Sequence, residues 1–260
     1  MKNARVLIVE DDERWLKTFH KMLGGEVADI TSARTIDDAI ALLDSRYFNV
    51  AVVDLRLDPH NSHDETGMRF LRAVRERGLE QVVALIMCTG YGKLDSVIRA
   101  FGDFNVVAFL PKKGLQAPAL HEAVIKALER HHCRGELHVE LESGLPLAAL
   151  WERYDWARRE SPQELEAELY DLLRRLFRDA DRLWLRPIDA GQSGAGVLAV
   201  EPTYGATVGG LDIVKFGKRA KIMTEQHNYT ECIDRYINNQ SSTQVESAAG
   251  RVMGALRYRL

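Results

Sequence analysis

The chain lacks the marks of several large protein classes. It has three cysteines, Cys88, Cys133 and Cys232, odd in number and far apart. That excludes a disulfide scaffold and fits reduced thiols. Cys88 lies inside an apolar run and is expected to be inert core. No apolar stretch approaches the ~18 residues of a membrane helix. A strand-like run begins almost at the first residue, leaving no room for a signal peptide, so a cytoplasmic location is expected. One-sided charge is also missing: 35 Lys and Arg stand against 38 Asp and Glu, a formal net charge of -3. Without a basic excess or a basic recognition helix, neither nucleic acid nor an acidic membrane is an expected partner.

What is present suits a globular protein of two domains. The chain has 260 residues, 46% hydrophobic and 28% charged, ordinary values for folded soluble chains. The first half alternates short apolar runs, near 5–9, 27–31, 49–54, 82–88 and 106–110, with amphipathic segments. The latter include Arg34–Ser45, Met68–Arg77, Lys93–Phe101 and Leu120–Arg130. Strand alternating with helix predicts an α/β domain over 1–131, a flavodoxin-like, doubly wound, five-stranded parallel sheet.

Polar groups stand where those strands end. Glu10, Asp11 and Asp12 follow the first run and Asp54 closes the third. Thr89 follows the fourth run and Lys112 the fifth. Ligands of open parallel sheets bind at the carboxyl ends of the strands, so these groups are expected to converge. Acids, a hydroxyl and a lysine together suit a carboxylate nucleophile that takes a phosphoryl group with Mg²⁺ bound.

This arrangement resembles the receiver domain of two-component response regulators over roughly residues 1–131. The resemblance implies that Asp54 is the phosphoacceptor. Glu10, Asp11, Asp54 and the main-chain carbonyl of Arg56 would hold Mg²⁺. Thr89 and Lys112 would contact the phosphoryl oxygens, and Phe109 takes the place of the aromatic switch residue. In the family a proline usually follows the lysine; here Lys113 follows and Pro111 precedes. The implied partner is a sensor histidine kinase or phosphotransfer protein. A homodimer through the face formed by segment 93–101, the fifth strand and the helix near 117–131 is a further implied partnership.

The loop Asp58–Glu65 carries His60, His63, Asp64 and Glu65. It is read as a solvated loop beside the site rather than a metal centre. His131, His132 and Cys133 lack a second ligand pair at a useful spacing, so they are read as a frayed helix end rather than zinc ligands. Gly135–Glu142 alternates like a short strand. Ser161, Pro162 and Glu164 form a helix start of the capping-box kind. Leu165, Leu169, Leu172, Leu173, Leu176 and Phe177 then make one apolar stripe. This helix is expected to pack on the domain that follows, with a signalling or dimer-forming helix as the rival. Residues 132–180 are thus read as a linker with a short strand and an amphipathic helix.

A second chemical pattern lies in 188–225. Gly191, Ser193, Gly194 and Gly196 form a glycine-rich turn that enters a strand. Lys215 sits in the next strand between apolar residues, and Ile222–Glu225 opens a helical segment running through Tyr229, Ile233 and Tyr236. A loop without side chains approaches phosphates closely. A lysine offers them positive charge and a glutamate holds the lysine. This region, 181–260, resembles the amino-terminal lobe of the protein-kinase-like fold, above all its aminoglycoside-phosphotransferase-like branch. The resemblance implies a smaller α+β domain with these six residues, Gly191, Ser193, Gly194, Gly196, Lys215 and Glu225, around a nucleotide such as ATP. An unrelated α+β domain with a glycine hairpin is the other reading. The run 254–260 is strand-like, and no catalytic or metal-binding aspartates of a second lobe follow it, so a competent kinase is not expected from these residues. The chain is expected to be a phosphorelay response regulator with a kinase-like output region. The rivals are a phosphorylation-independent scaffold and a fragment of a receiver-regulated phosphotransferase.

Overall fold

A computed structural model describes residues 4–57, 66–90, 102–131, 137–142, 144, 146–188, 194–231 and 245–259. The chain divides into two compact units, Met1–His131 and His132–Leu260. Among the described residues no helix is long and apolar enough to cross a membrane.

The first unit has strands β1 (Arg5–Val9), β2 (Asp29–Ala33), β3 (Val50–Val53), β4 (Ala84–Thr89) and β5 (Ala108–Pro111). They form one parallel sheet in the order β2-β1-β3-β4-β5. Val6–Val9, Val50–Val53 and Ala84–Thr89 are buried throughout, as strands covered on both faces must be. Helices α1 (Glu13–Leu23), α2 (Ile36–Ser45), α3 (Thr66–Glu76) and α4 (Ala117–Arg130) each turn an apolar stripe inward. The expected helix Lys93–Phe101 and the loop with His60 and His63 lie outside the described residues. The second strand starts two residues later than its apolar run, because the chain first turns through Gly24 and Gly25.

The second unit is a mixed sheet of β6 (His138–Leu141), β7 (Arg182–Ile188), β8 (Gly196–Tyr204), β10 (Asp212–Lys218), β11 (Val245–Ala249) and β12 (Met253–Arg259). Its order is β11-β12-β10-β8-β7-β6, with the short β9 (Thr207–Val208) beside β8. Only β6 and β7 pair in parallel; the other neighbours are antiparallel. A parallel neighbour needs a long crossover. Here it contains two short 3-10 turns, Leu147–Arg153 and Ala157–Arg159, and helix α5 (Pro162–Leu176). Helix α6 (Arg219–Tyr229) connects β10 towards β11.

Two expectations are corrected here. Residues 137–180 are no linker: β6 belongs to the sheet, and Leu165, Leu169, Leu172 and Leu173 of α5 have no exposed surface and pack with Leu198, Val200, Val214 and Phe216. The apolar stripe is spent inside this unit, as the expectation that the helix packs on the domain that follows requires. The second correction is local. Ser161 is the N-cap of α5, but its hydroxyl donates to Gln163 Oε1 at 2.7 Å instead of accepting from the helix backbone. The serine arm of the capping box is therefore not made.

Candidate functional site

The ladder of the first sheet runs one residue past its strands. The Glu10 N–H donates to Ala33 O at 3.0 Å, Asp54 N–H to Val9 O at 2.9 Å, and Lys112 N–H to Thr89 O at 2.9 Å. These bonds fix Glu10, Asp54, Thr89 and Lys112 along one edge. The site flanks β1 and β3, where the strand order reverses, the usual ligand position of such sheets.

All four side chains are nearly fully buried. Lys112 Nζ lies 2.6 Å from Asp54 Oδ2 and also pairs with Glu10 Oε2. Carboxylate oxygens of Glu10, Asp11 and Asp54 lie within 4.8 Å of one another. Burial pushes the Glu10 carboxyl up to about 7, against the pull of Lys112. Burial also raises Asp11. For Lys112 burial acts downward, yet the charge and hydrogen bonds of Asp54 and Glu10 outweigh it and its pKa is raised. Asp12 plays a different part. Its side chain caps α1 through Arg14 N–H at 2.8 Å, and the Arg14 side chain holds its carboxyl down at about 2. The acidic cluster thus divides into a pair facing the cleft and a helix cap.

The open cleft above these groups measures about 800 Å³, and Arg34, Trp15, Gly90 and Lys113 complete its wall. Three of its supports do not stand out in the sequence. Trp15 has its ring centroid 5.3 Å from Lys112 Nζ. Arg34 Nη2 donates to Asp11 O at 3.2 Å. Gly67, in the first turn of α3, lies so close to the Asp54 loop that a Cβ there would collide with Asp54 O. An isolated glycine at a helix start is the one legible signal, since it hints at close backbone approach. Arg56 lines the cleft, and its N–H donates to Asp54 Oδ1 at 3.2 Å. Phe109 is half-buried on β5 and pairs in register with Met87. Cys88 is buried, and burial pushes its thiol up to about 12, so it carries no reactive thiolate.

Three buried or half-buried carboxylates beside one lysine form a donor set for a hard cation. Oxygen ligands at this spacing fit Mg²⁺.

In the second unit, Lys215 of β10 donates to Glu225 of α6 at 2.8 and 2.6 Å. The Tyr258 hydroxyl of β12 donates to Glu225 Oε1 at 3.0 Å; burial and then the Glu225 charge raise its pKa. Gly196 opens β8 and Gly194 precedes it. Gly191, Ser193, Ile233 and Tyr236 lie outside the described residues. Helix α6 begins at Arg219, three residues before the expected Ile222.

Comparison with known proteins covers the first half of the chain. The response regulator receiver domain family matches residues 6–125. The response regulator protein PilR of Pseudomonas aeruginosa is 29% identical over 138 residues, 52% of this chain and 28% of PilR. A CheY-like receiver domain protein from Methanospirillum hungatei is 25% identical, covering 52% of this chain and all of that one, with a TM-score of 0.44. The signal receiver domain of an HD domain-containing protein from Pseudomonas fluorescens is 20% identical, covering 51% of this chain and all of that one, also at 0.44. The amino-terminal domain of this chain is a response regulator receiver domain of two-component signalling.

Proposed function

We propose that the chain is a phosphorelay response regulator whose phosphoacceptor is Asp54. The observation that carries this is the buried contact of Asp54 with Lys112 at 2.6 Å, beside the carboxylates of Glu10 and Asp11. The donor is a phosphohistidine on a sensor kinase or phosphotransfer protein. Asp54 attacks phosphorus, the P–N bond breaks, and the imidazole leaves with its electron pair. Lys112 then pairs with the new phosphoryl oxygens in place of the carboxylate, and Thr89 donates a hydroxyl. Glu10, Asp11, Asp54 and the Arg56 carbonyl would hold Mg²⁺, which supplies positive charge to the transferring group. Phe109 answers the movement of Thr89 as the switch residue.

Phosphate-affinity gels test this after treatment with acetyl phosphate and Mg²⁺. The wild type should shift and Asp54→Asn should not. Equal behaviour of the two would favour a phosphorylation-independent scaffold.

For the second unit we read a lobe of the kinase-like kind that binds a nucleotide. Three observations support it: the antiparallel order β11-β12-β10-β8-β7, the helix that follows β10, and the Lys215–Glu225 pair. By register Lys215 shares its sheet face with Val197 and Leu256, and the alternate positions Ile213, Ala199 and Tyr258 extend that face. Val197, Ile213 and Tyr258 of this face are half-buried beside Lys215, a partly open apolar surface of the kind that covers a nucleobase, while Ala199 and Leu256 are buried beneath. Calorimetry of the whole chain with Mg²⁺ and ATP should show binding that Lys215→Ala weakens. Binding unaltered by that change would reduce the lysine to a structural ion pair.

A further inference from the structure

Beside Lys215 lies a cavity of about 460 Å³, within the usual range for small-ligand pockets. Its lining includes Lys218, Lys221 and Ile222 of the β10–α6 junction, with Gly194 and Ala195. A further part of the lining comes from outside the 181–260 lobe. It is the segment Arg153–Arg159, in the crossover between β6 and β7.

That segment is well anchored. Tyr154 is buried and meets the Phe216 ring edge-on at 5.3 Å; Trp151 meets the same ring at 6.2 Å. Ala157 is buried and its N–H donates to Tyr154 O at 3.0 Å. Arg153 and Arg159 therefore stand on a fixed scaffold at the cavity wall.

The charges decide what the cavity suits. Its lining holds five cations, Arg153, Arg159, Lys215, Lys218 and Lys221, and two acids, Asp155 and Glu225. Glu225 is paired with Lys215, and Asp155 with Arg158 at 3.2 Å. The Glu225 pair is half-buried, whereas the Asp155 pair is exposed and weak, and the cations still outnumber the acids by five to two. Arg153, Arg159, Lys218 and Lys221 form no ion pair with a described residue. Four such cations around one cavity raise the local potential in a chain whose net charge is -3. The first turn of α6 adds its positive helix end, and its N-cap Lys218 makes no side-chain cap bond.

We propose that this cavity is an oligophosphate site, in which Arg153 and Arg159 join Lys218 and Lys221 in binding a chain of linked phosphates. The guanidinium fork matches phosphate oxygens, and a half-open cavity of this volume suits a short chain rather than a nucleic-acid strand. The phosphates come from a nucleotide or from a free oligophosphate. The nucleotide source rests on the reading of Lys215 given above. With side-chain cations balancing the charge, binding does not require a divalent metal.

Calorimetry on the whole chain, in EDTA and again in Mg²⁺, tests this with two probes, inorganic tripolyphosphate and ATP. Both should bind in EDTA. Arg153→Ala with Arg159→Ala should weaken both at least tenfold, while the paired Arg→Lys changes, which keep the charge and the fold, should cost less. Tripolyphosphate binding as tightly as ATP would uphold the oligophosphate site and remove the nucleotide reading. ATP binding that needs Mg²⁺ and ignores both arginines would uphold the nucleotide reading and overturn this inference. No binding of either probe in EDTA would overturn it as well.

Discussion

Lys112 and Asp54 form a buried ion pair, with Nζ 2.6 Å from Oδ2 at the carboxyl ends of β5 and β3. Glu10 leans on the same ammonium. One cation thus serves two carboxylates in a nearly dry place. Removing one partner of such a pair leaves uncompensated buried charge, at a cost of ~3–5 kcal/mol. Lys112→Met should therefore destabilise the receiver by about that much at pH 8 without Mg²⁺. The loss should shrink at pH 6, where Glu10 takes up a proton. Urea unfolding followed by Trp15 fluorescence can read both. A loss equal at the two pH values would point to packing rather than charge.

The raised Glu10 carboxyl, at about 7, also sets how Mg²⁺ binding should vary with pH. A ligand carboxyl must lose its proton before it holds the ion. Above pH 7 it is already ionised; below, each binding event must release a proton. Apparent Mg²⁺ affinity should then rise about tenfold from pH 6 to pH 8, as the ionised fraction follows that pKa. Trp15 lines the cleft and can report the titration. Glu10→Gln should bind more weakly with a flattened pH profile. A wild-type profile that is flat already would remove Glu10 from the metal site.

The receiver half was legible because its strands are buried on both faces and read as continuous apolar runs, such as Val50–Val53 and Ala84–Thr89. With the strands located, Asp54, Thr89 and Lys112 fell at their ends. Only the resemblance separated Asp12 from Glu10 and Asp11, because cap and ligand roles use the same side chain. Gly67 and Trp15 were missed because their contacts are with residues distant in sequence. The 132–180 segment was misread for a related reason. Nothing local in His138–Leu141 says that this strand pairs with Arg182–Ile188, some forty residues on. Parallel pairing through a crossover leaves no hairpin signal.

That membership of α5 in the second unit can be measured. Leu172 has no exposed surface and packs among sheet residues. Leu172→Ala should cost the second unit ~2–5 kcal/mol, the usual range for a buried leucine. A free linker helix would lose less than about 1 kcal/mol, as exposed sites do. Urea unfolding in a Trp15→Phe background, where only Trp151, Trp156 and Trp184 report, isolates this unit. An unchanged midpoint would return α5 to the role of a linker.

Glu168 supplies the last prediction, through the sign of its pH linkage. It lies on α5 with no exposed surface, and its Oε1 accepts the N–H groups of Val252 at 2.8 Å and Met253 at 2.7 Å. It thereby caps the turn between β11 and β12. Gly250 lies so close that a Cβ there would collide with Glu168 Oε1, so the turn and the carboxyl are fitted to one another. Burial pushes this carboxyl up to about 7, more than the two N–H groups and Arg251 pull it down. The folded state then binds more protons than the unfolded state between about pH 4.5 and pH 7. Stability from this group is present at pH 4.5 and is lost as pH rises towards 7. The loss between pH 5 and pH 8 should be about 2–3 kcal/mol. Glu168→Gln keeps an oxygen for both N–H groups but cannot ionise, so it should be more stable than wild type at pH 8 and nearly level at pH 5. Glu168→Leu leaves the two N–H groups without an acceptor and should be less stable than Glu168→Gln at both pH values, by ~1–3 kcal/mol. Urea unfolding in the Trp15→Phe background measures all three chains. If Glu168→Gln tracks the wild type from pH 5 to pH 8, Glu168 is ionised throughout and the proposed linkage is wrong.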